Sequence, residues 1–329
     1  VRKFLFLILI VVIAAGLWGY WAAFQPVDPG GEKFVLLRPG WSARHIAQTL
    51  QREGIIRSAP AFLAVHYAFG QGKLKAGEYK FDTPATAQEV RDRLLRGDVY
   101  ARTVAVPEGY NLYDIAAVVE QAGLGSAADF VAVAQHDVSL LRDIDPQATS
   151  LEGYLFPDTY QFTRIDTPHD IAAAMVHRFR QAAQKIGLLG RPDIGKIVTM
   201  ASIVEKETAV AEERPLVAGI YYNRLDRTML LGADPTVIYA ALLNGRYRGT
   251  IYQSDLQFDS PYNTYKSPGL PPGPIANPGA ASLQAAMHPK KSDYLYFVSD
   301  NNGHHRFAST SAEHEKNVAA YRRATASEH

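Results

Sequence analysis

The uncharged run of twenty residues from Phe4 to Ala23, FLFLILIVVIAAGLWGYWAA, limits this chain more than any other stretch. At about 1.5 Å rise per residue, a helix of that length covers about 30 Å, the thickness of a bilayer's hydrocarbon core. Arg2 and Lys3 precede it, and Trp18, Tyr20 and Trp21 sit at its far end, where aromatic belts meet the membrane surface. A cleaved leader usually has a shorter apolar region and a clear small-x-small site. Residues 4–23 are therefore expected to be a retained membrane helix, with everything after Gln25 on the extracytoplasmic side.

Composition narrows the rest. The net charge of +1 becomes −1 once Arg2 and Lys3 are set aside, so the basic excess of a nucleic-acid binder is missing and no nucleic-acid partner is expected. The chain has no cysteine, which excludes disulfide frameworks, thiolate metal sites and cysteine nucleophiles. Neither a metal nor a cofactor is expected: the P-loop and G-x-G-x-x-G are absent. His304, His305 and His314 cluster without a carboxylate at ligand spacing, and two adjacent histidines in a strand should face opposite ways.

An internal repeat follows the short Pro/Gly linker at residues 25–33. Phe34 to Val65 aligns with Thr103 to Val133, matching Gly40 with Gly109, Trp41 with Tyr110, Ile46 and Ala47 with Ile115 and Ala116, and Gly54 with Gly123. Each copy reads as a short strand, a Gly turn, an amphipathic helix, a Gly stop and the start of another helix. Aromatic strands follow at Gly77 to Phe81 and Thr159 to Phe162, and Thr83-Pro84 and Thr167-Pro168 open further helices. The pattern resembles LysM-type modules, small domains that bind chitin or peptidoglycan. A structural spacer descended from such a module fits equally.

The texture changes after Pro192. A helix is expected from Asp193 to Glu212, a second from Pro215, and a third after Asp234-Pro235, with Asp234 as its cap. A long Pro/Gly/Asn stretch, Ser260 to Pro289, reads as a functional loop. The chain closes with a strand at Tyr294 to Val298, an Asn302-Gly303 hairpin, a strand at His305 to Ala308 and a helix.

Within the first of these helices lie Glu205 and Glu207, among apolar residues. Burial raises a carboxyl's pKa, and an acid that keeps its proton near pH 7 suits cleavage of a glycosidic bond. At about 100° per residue the two fall roughly 160° apart on opposite edges of the apolar arc, so only one can serve a given cleft. The wheel does not choose between them, and a solvated Glu-x-Glu flank paired with Lys206 is the plain alternative. Ser202 and Lys206 are spaced Ser-x-x-x-Lys, not the Ser-x-x-Lys of penicillin-binding proteins.

At ASIVEKETAV, YYNRL, ADPTVIY, YNTY, GLPPGPIANPG and HPKKSDYLYFV the sequence resembles the MltG (YceG-like) family of endolytic murein transglycosylases, over nearly its whole length. The resemblance implies a single-pass protein of the bacterial inner membrane that cuts nascent peptidoglycan strands internally and leaves 1,6-anhydro-N-acetylmuramic acid ends. Peptidoglycan synthases are expected beside it. Lytic transglycosylases and goose-type lysozymes follow their catalytic Glu with a small hydroxyl residue. Glu207-Thr208 fits that pattern and Glu205-Lys206 does not, so the resemblance favours Glu207. Tyr262, Asn263 and Tyr265 are expected to line the sugar cleft, with Asn223 behind them.

The expected architecture is α+β: a transmembrane anchor (1–24), the linker (25–33), two small LysM-like α+β units (34–102 and 103–190) and a mixed α+β catalytic domain (191–329). Two rival readings stand beside it. One is a non-enzymatic, membrane-anchored peptidoglycan-binding scaffold. The other is a hydrolytic muramidase, against which the lack of an obvious acidic partner counts, unless Asp234 or Glu213 approaches in three dimensions.

Overall fold

The computed structural model describes residues 2–70 and 72–327. The fold is mixed α+β. The apolar run is helical: α1 (Arg2–Phe24) is long and apolar enough to cross a membrane. Its last turn is fastened, with Ala22 and Ala23 buried against Ala61 and Val65 and the Arg57 guanidinium 4.2 Å over the Trp21 ring.

Next come β1 (Lys33–Leu37), α2 (Ala43–Arg52), α3 (Ala59–Ala68), β2 (Gly77–Phe81) and α4 (Ala87–Arg96). β1 and β2 pair antiparallel, Val35 opposite Tyr79. Leu37, Ile46, Leu50, Phe62, Phe81 and Leu94 form the core beneath them. The second copy repeats the order as β3 (Arg102–Ala105), α5 (Leu112–Gln121), α6 (Ala127–His136) and β4 (Thr159–Phe162), with β3 beside β4.

Local chemistry explains the repetition. Gly40 and Gly109 turn the chain at φ +83° and +79°, where a side chain would be strained. Ser42 and Asn111 then cap α2 and α5 through their side-chain oxygens, and Ser58 and Ser126 do the same for α3 and α6.

The remaining elements are α7 (Pro168–Lys185), α8 (Ile194–Glu207), α9 (Arg214–Asp226), α10 (Asp234–Leu243), the short α11 (Gln253–Leu256), α12 (Ala280–Met287), β5 (Tyr296–Ser299), β6 (His305–Ala308) and α13 (Ser311–Ser327). β5 and β6 form the expected hairpin, with Tyr296 opposite Ala308. The strand begins two residues later than the aromatic pattern suggests, because the Tyr294 and Leu295 carbonyls accept from Asn223 and Arg224.

Two elements depart from expectation. The helix expected to reach Glu212 stops at Glu207: Thr208 is extended (φ −139°, ψ 130°), and its hydroxyl accepts from the Val210 N–H, a local bond that competes with the helical ladder. The Pro/Gly/Asn stretch is not all loop. Ala280–Met287 is helical and packs on α8 and α9, burying Leu283, Ala285 and Ala286.

The described residues form two compact units. One runs through Thr103 and takes in Gln161–Thr167; the other comprises Val104–Tyr160 and the chain from Pro168 onward. Most of the second repeat copy, Val104–Tyr160, thus belongs to the same unit as the C-terminal helices. The stitch is Asn277, fully buried, whose amide donates to the Tyr110 carbonyl (2.9 Å) and to Glu152 Oε1 (2.8 Å) and accepts from the Leu155 N–H (2.9 Å). Glu152, 1 % exposed, also accepts from the Leu112 N–H and the Tyr239 hydroxyl, both at 3.0 Å. Burial pushes its carboxyl up to about 7, against those donors, which favour the anion.

Removing one partner strands the others. Asn277→Ala should cost about 2–3 kcal/mol by urea unfolding, since the buried Leu155 N–H and Glu152 Oε1 lose a hydrogen bond together.

Candidate functional site

The site is built where α8 ends. Glu205 and Glu207 leave the helix in its last turn, and the break at Thr208 lets α9 return beside it. The two carboxyls, alike on a helical wheel, meet opposite surroundings.

Glu205 is neutralised. Its Oε1 takes a 3.0 Å ion pair from Arg214 Nη2, and its Oε2 accepts from the Gly279 N–H at the start of α12, also at 3.0 Å. Both side chains are nearly enclosed, at 5 % and 10 % exposure. Glu108, from the turn before α5, stands 3.7 Å from the same guanidinium. The fit is close: a Cβ on Gly279 would collide with the Glu108 carboxylate. Lys206, in between, donates to the Gly109 carbonyl at 3.1 Å.

Glu207 has no such cation. The Tyr221 hydroxyl, from α9, donates to its Oε1 at 2.6 Å, and Oε2 has no partner among the described residues. Burial pushes the carboxyl up to about 7; the Tyr221 bond opposes this, the charge of Asp234 reinforces it, and Arg224 opposes it. The residue as a whole keeps partial exposure although its carboxyl is deeply set. Burial and the adjoining Glu207 likewise push the Tyr221 phenol well above its usual range. Arg224 cannot swing to Glu207 freely, because its Nε donates to the Leu295 carbonyl (2.7 Å) and its Nη1 to the Leu231 carbonyl (2.6 Å).

The other expected residues separate. Tyr265 belongs here: 38 % exposed, it donates from its hydroxyl to Asp234 Oδ1 at 2.6 Å. Asn263 does not line a cleft. It is fully buried, its amide donating to the Asp255, Leu256 and Phe258 carbonyls and its Oδ1 accepting from the Tyr265 N–H, so it shapes the loop that carries Tyr265. Tyr262 lies with the other buried carboxyl: its ring is 5.1 Å from that of Tyr239, and burial followed by the charge of Glu152 raises its phenol. Asn223 donates to the Ser292 and Tyr294 carbonyls and secures the approach to β5.

Asp234 is the first residue of α10 but makes no capping bond; Ala233 holds the cap position. His304 and His305 do not diverge, because His304 lies just outside β6. Their Nδ1 atoms reach the two oxygens of Glu213 at 3.2 and 2.6 Å. Ser202 is buried, donating to the Thr199 carbonyl and accepting from the Ile275 N–H, a structural use. Among the described residues no group of three or more His, Asp or Glu is placed to hold a metal ion. Tyr221 and Arg224 were not singled out as partners of Glu207 from the sequence, their place in YYNRL being the available signal; Asp234 was named there as an acidic group that could approach.

A cavity of 810 Å³ opens at the opposite, N-terminal end of α8, lined among others by Asp145, Arg191, Lys196 and Pro271. Glu207 is not in its wall.

The YceG-like family model matches residues 35–320. The chain belongs to the YceG-like family. It is 33 % identical over 332 residues to the endolytic murein transglycosylase of Bacillus subtilis (strain 168), covering 95 % of this chain and 91 % of that one. It is 30 % identical over 358 residues to the endolytic murein transglycosylase of Streptococcus pneumoniae serotype 2 (strain D39 / NCTC 7466), covering 96 % of this chain and 64 % of that longer protein. A crystal structure of a yceG-like protein from Listeria monocytogenes superposes with a TM-score of 0.56 at 33 % identity, over 87 % of this chain and 98 % of the other.

The raised carboxyl has a consequence for stability. The folded state binds the Glu207 proton more tightly than the unfolded chain, where the carboxyl has its ordinary pKa of 4.5. Its contribution is therefore full below that value and is lost as pH rises through about 7. Between about pH 5 and pH 8 the melting temperature of wild type should fall relative to that of Glu207→Gln, the comparison cancelling Glu152 and the histidines that also titrate there.

Proposed function

We propose that this protein is an endolytic lytic transglycosylase that cleaves the bond between N-acetylmuramic acid and N-acetylglucosamine in nascent peptidoglycan, leaving 1,6-anhydro ends that terminate strand growth. The observation that carries the reading is Glu207: a deeply set carboxyl without a cation partner, raised to about 7, in a chain of the YceG-like family. The names of its relatives supply the reaction class.

The chemistry follows from which oxygen is free. Tyr221 occupies Oε1, so the proton resides on Oε2, which is open to donate to the glycosidic oxygen as the C1–O bond breaks. The resulting carboxylate then takes the proton of the muramyl C6 hydroxyl as that oxygen closes on C1. The nucleophile belongs to the substrate, so proximity replaces an activated water. Tyr265 is the residue of the YNTY block placed to meet the sugar. The apolar helix α1 holds the enzyme in the inner membrane, with Arg2 and Lys3 cytoplasmic and the remaining chain beside the wall and its synthases.

Hydrolysis is the second reading, and Asp234 favours it. The sequence argument against a hydrolase was the lack of an acidic partner, and Asp234 lies close enough to Glu207 to influence its proton. Mass spectrometry of digested glycan decides, since reducing ends carry one water more than anhydro ends. Wild type should release anhydro-ended fragments, and Glu207→Gln should release them at least about 10³-fold more slowly. Unchanged release by that variant would remove Glu207 as the acid, and no release by wild type would leave the scaffold reading.

A further inference from the structure

Glu205, Glu108, Glu213 and Asp234 stand near the end of α8 or the start of the helices that follow, and three of these four carboxylates are consumed. Glu205 is paired with Arg214 and the Gly279 N–H. Glu108 stands beside the same guanidinium. Glu213 accepts from the His305 N–H and is engaged by the Nδ1 atoms of both His304 and His305. Asp234 is different. It is exposed, forms no ion pair among the described residues, and has one oxygen, Oδ1, fixed by the Tyr265 hydroxyl. Its Oδ2 has no partner among the described residues.

The arrangement holds this anion still. Pro235 follows it at the start of α10, and Tyr265 is set by Asn263, whose Oδ1 receives the Tyr265 N–H. The Gly232 N–H donates to the Thr264 carbonyl at 3.1 Å, and the Ala233 N–H to the Thr264 hydroxyl at 2.9 Å, so the two chain segments that supply Asp234 and Tyr265 are tied together. A Cβ on Gly232 would lie 3.5 Å from Arg224 and 3.7 Å from Tyr265, which places all three beside one another.

Resting on the transglycosylase reading above, we infer that Asp234, tethered by Tyr265, is a second catalytic carboxylate whose open Oδ2 faces the positive charge that develops on the muramyl C1 and ring oxygen. It neither attacks nor exchanges a proton. The bond from C1 to the leaving oxygen breaks, Glu207 supplies that oxygen's proton, the C6 oxygen bonds to C1, and its proton returns to Glu207. No water is consumed. A fixed anion beside a developing oxocarbenium ion lowers the barrier without reorganising during the reaction. The same charge adds to burial in favouring the proton on Glu207. Tyr221 from α9 bonds Glu207, and Arg224 from α9, Asp234 from α10 and Tyr265 from the loop couple to its charge. Of these, Asp234 is the anion that opposes its ionisation, and Arg224 acts the other way.

The test uses the full chain in detergent on purified uncrosslinked glycan strands, with products resolved by mass spectrometry. Asp234→Asn should lower kcat about 10²-fold with KM within about 3-fold, and should move the alkaline limb of the pH profile to lower pH. Tyr265→Phe keeps the charge but frees it, so kcat should fall about 10-fold with that limb unmoved. An Asp234→Asn enzyme with wild-type kcat and an unmoved limb overturns the inference. Reducing-ended products that disappear in Asp234→Asn overturn it too, by making the residue a base for water. If Asp234→Asn does not fold, Asp234→Ser takes its place; failure of both to fold makes the residue structural and ends the proposal. Glu207→Gln separates the two ideas. An active Glu207→Gln sinks the reading of the site as a whole, whereas an inactive one beside a wild-type-like Asp234→Asn sinks this inference alone.

Discussion

A buried ion pair decides what two carboxyls at the end of one helix can do. Arg214 neutralises Glu205 inside a nearly closed environment, and a pair of that kind is costly to break: removing one partner commonly costs about 3–5 kcal/mol because the other is left buried and charged. By fixing Glu205 to the first residue of α9 and to the N-terminus of α12, the pair sets where those helices stand. Tyr221 rides on α9, so the same pair carries the phenol to Glu207. One carboxyl is thereby spent on structure, and the other is left without a cation and holding its proton.

Around this node two buried amides gather several partners each. Asn277 and Glu152 join the second repeat copy to the loop before α12, and Asn263 gathers three carbonyls to shape the loop carrying Tyr265. Buried amides of this kind are worth most when every donor and acceptor is matched. Tyr262 and Tyr265, three residues apart, end beside different carboxyls: Tyr262 near Glu152 and Tyr265 on Asp234. Glu152 is buried, whereas Asp234 is exposed.

Much of the fold was legible because it rests on local rules. The repeat's strands, turns and helices follow from glycine positions, Ser and Asn caps and apolar periodicity, all properties of a few neighbouring residues. The early end of α8 escaped notice because it depends on Thr208 bonding Val210 instead of continuing the ladder, a choice open to any threonine. Helix α12 escaped because Pro and Gly dominate its surroundings, while its own Ala and Leu residues gain their helix from packing on α8 and α9. Asn263 read as a sugar ligand, with Asn223 behind it, because an amide's chemistry is the same whether it faces a substrate or a backbone carbonyl; the carbonyls that each amide meets came only with the fold.

The amino-acid order by itself determined the apolar span, the repeated strand-and-helix units, the closing hairpin and a helix carrying two glutamates in an apolar setting. These follow from periodicity and capping, which act over a few residues. Tertiary structure alone decided which glutamate is ion-paired and which is not, because the deciding groups come from elsewhere in the chain: Arg214 and Gly279 to one, Tyr221 and Asp234 to the other. A carboxyl's proton affinity is set by the charges and donors that surround it in space, and their positions are not fixed until the helices have packed.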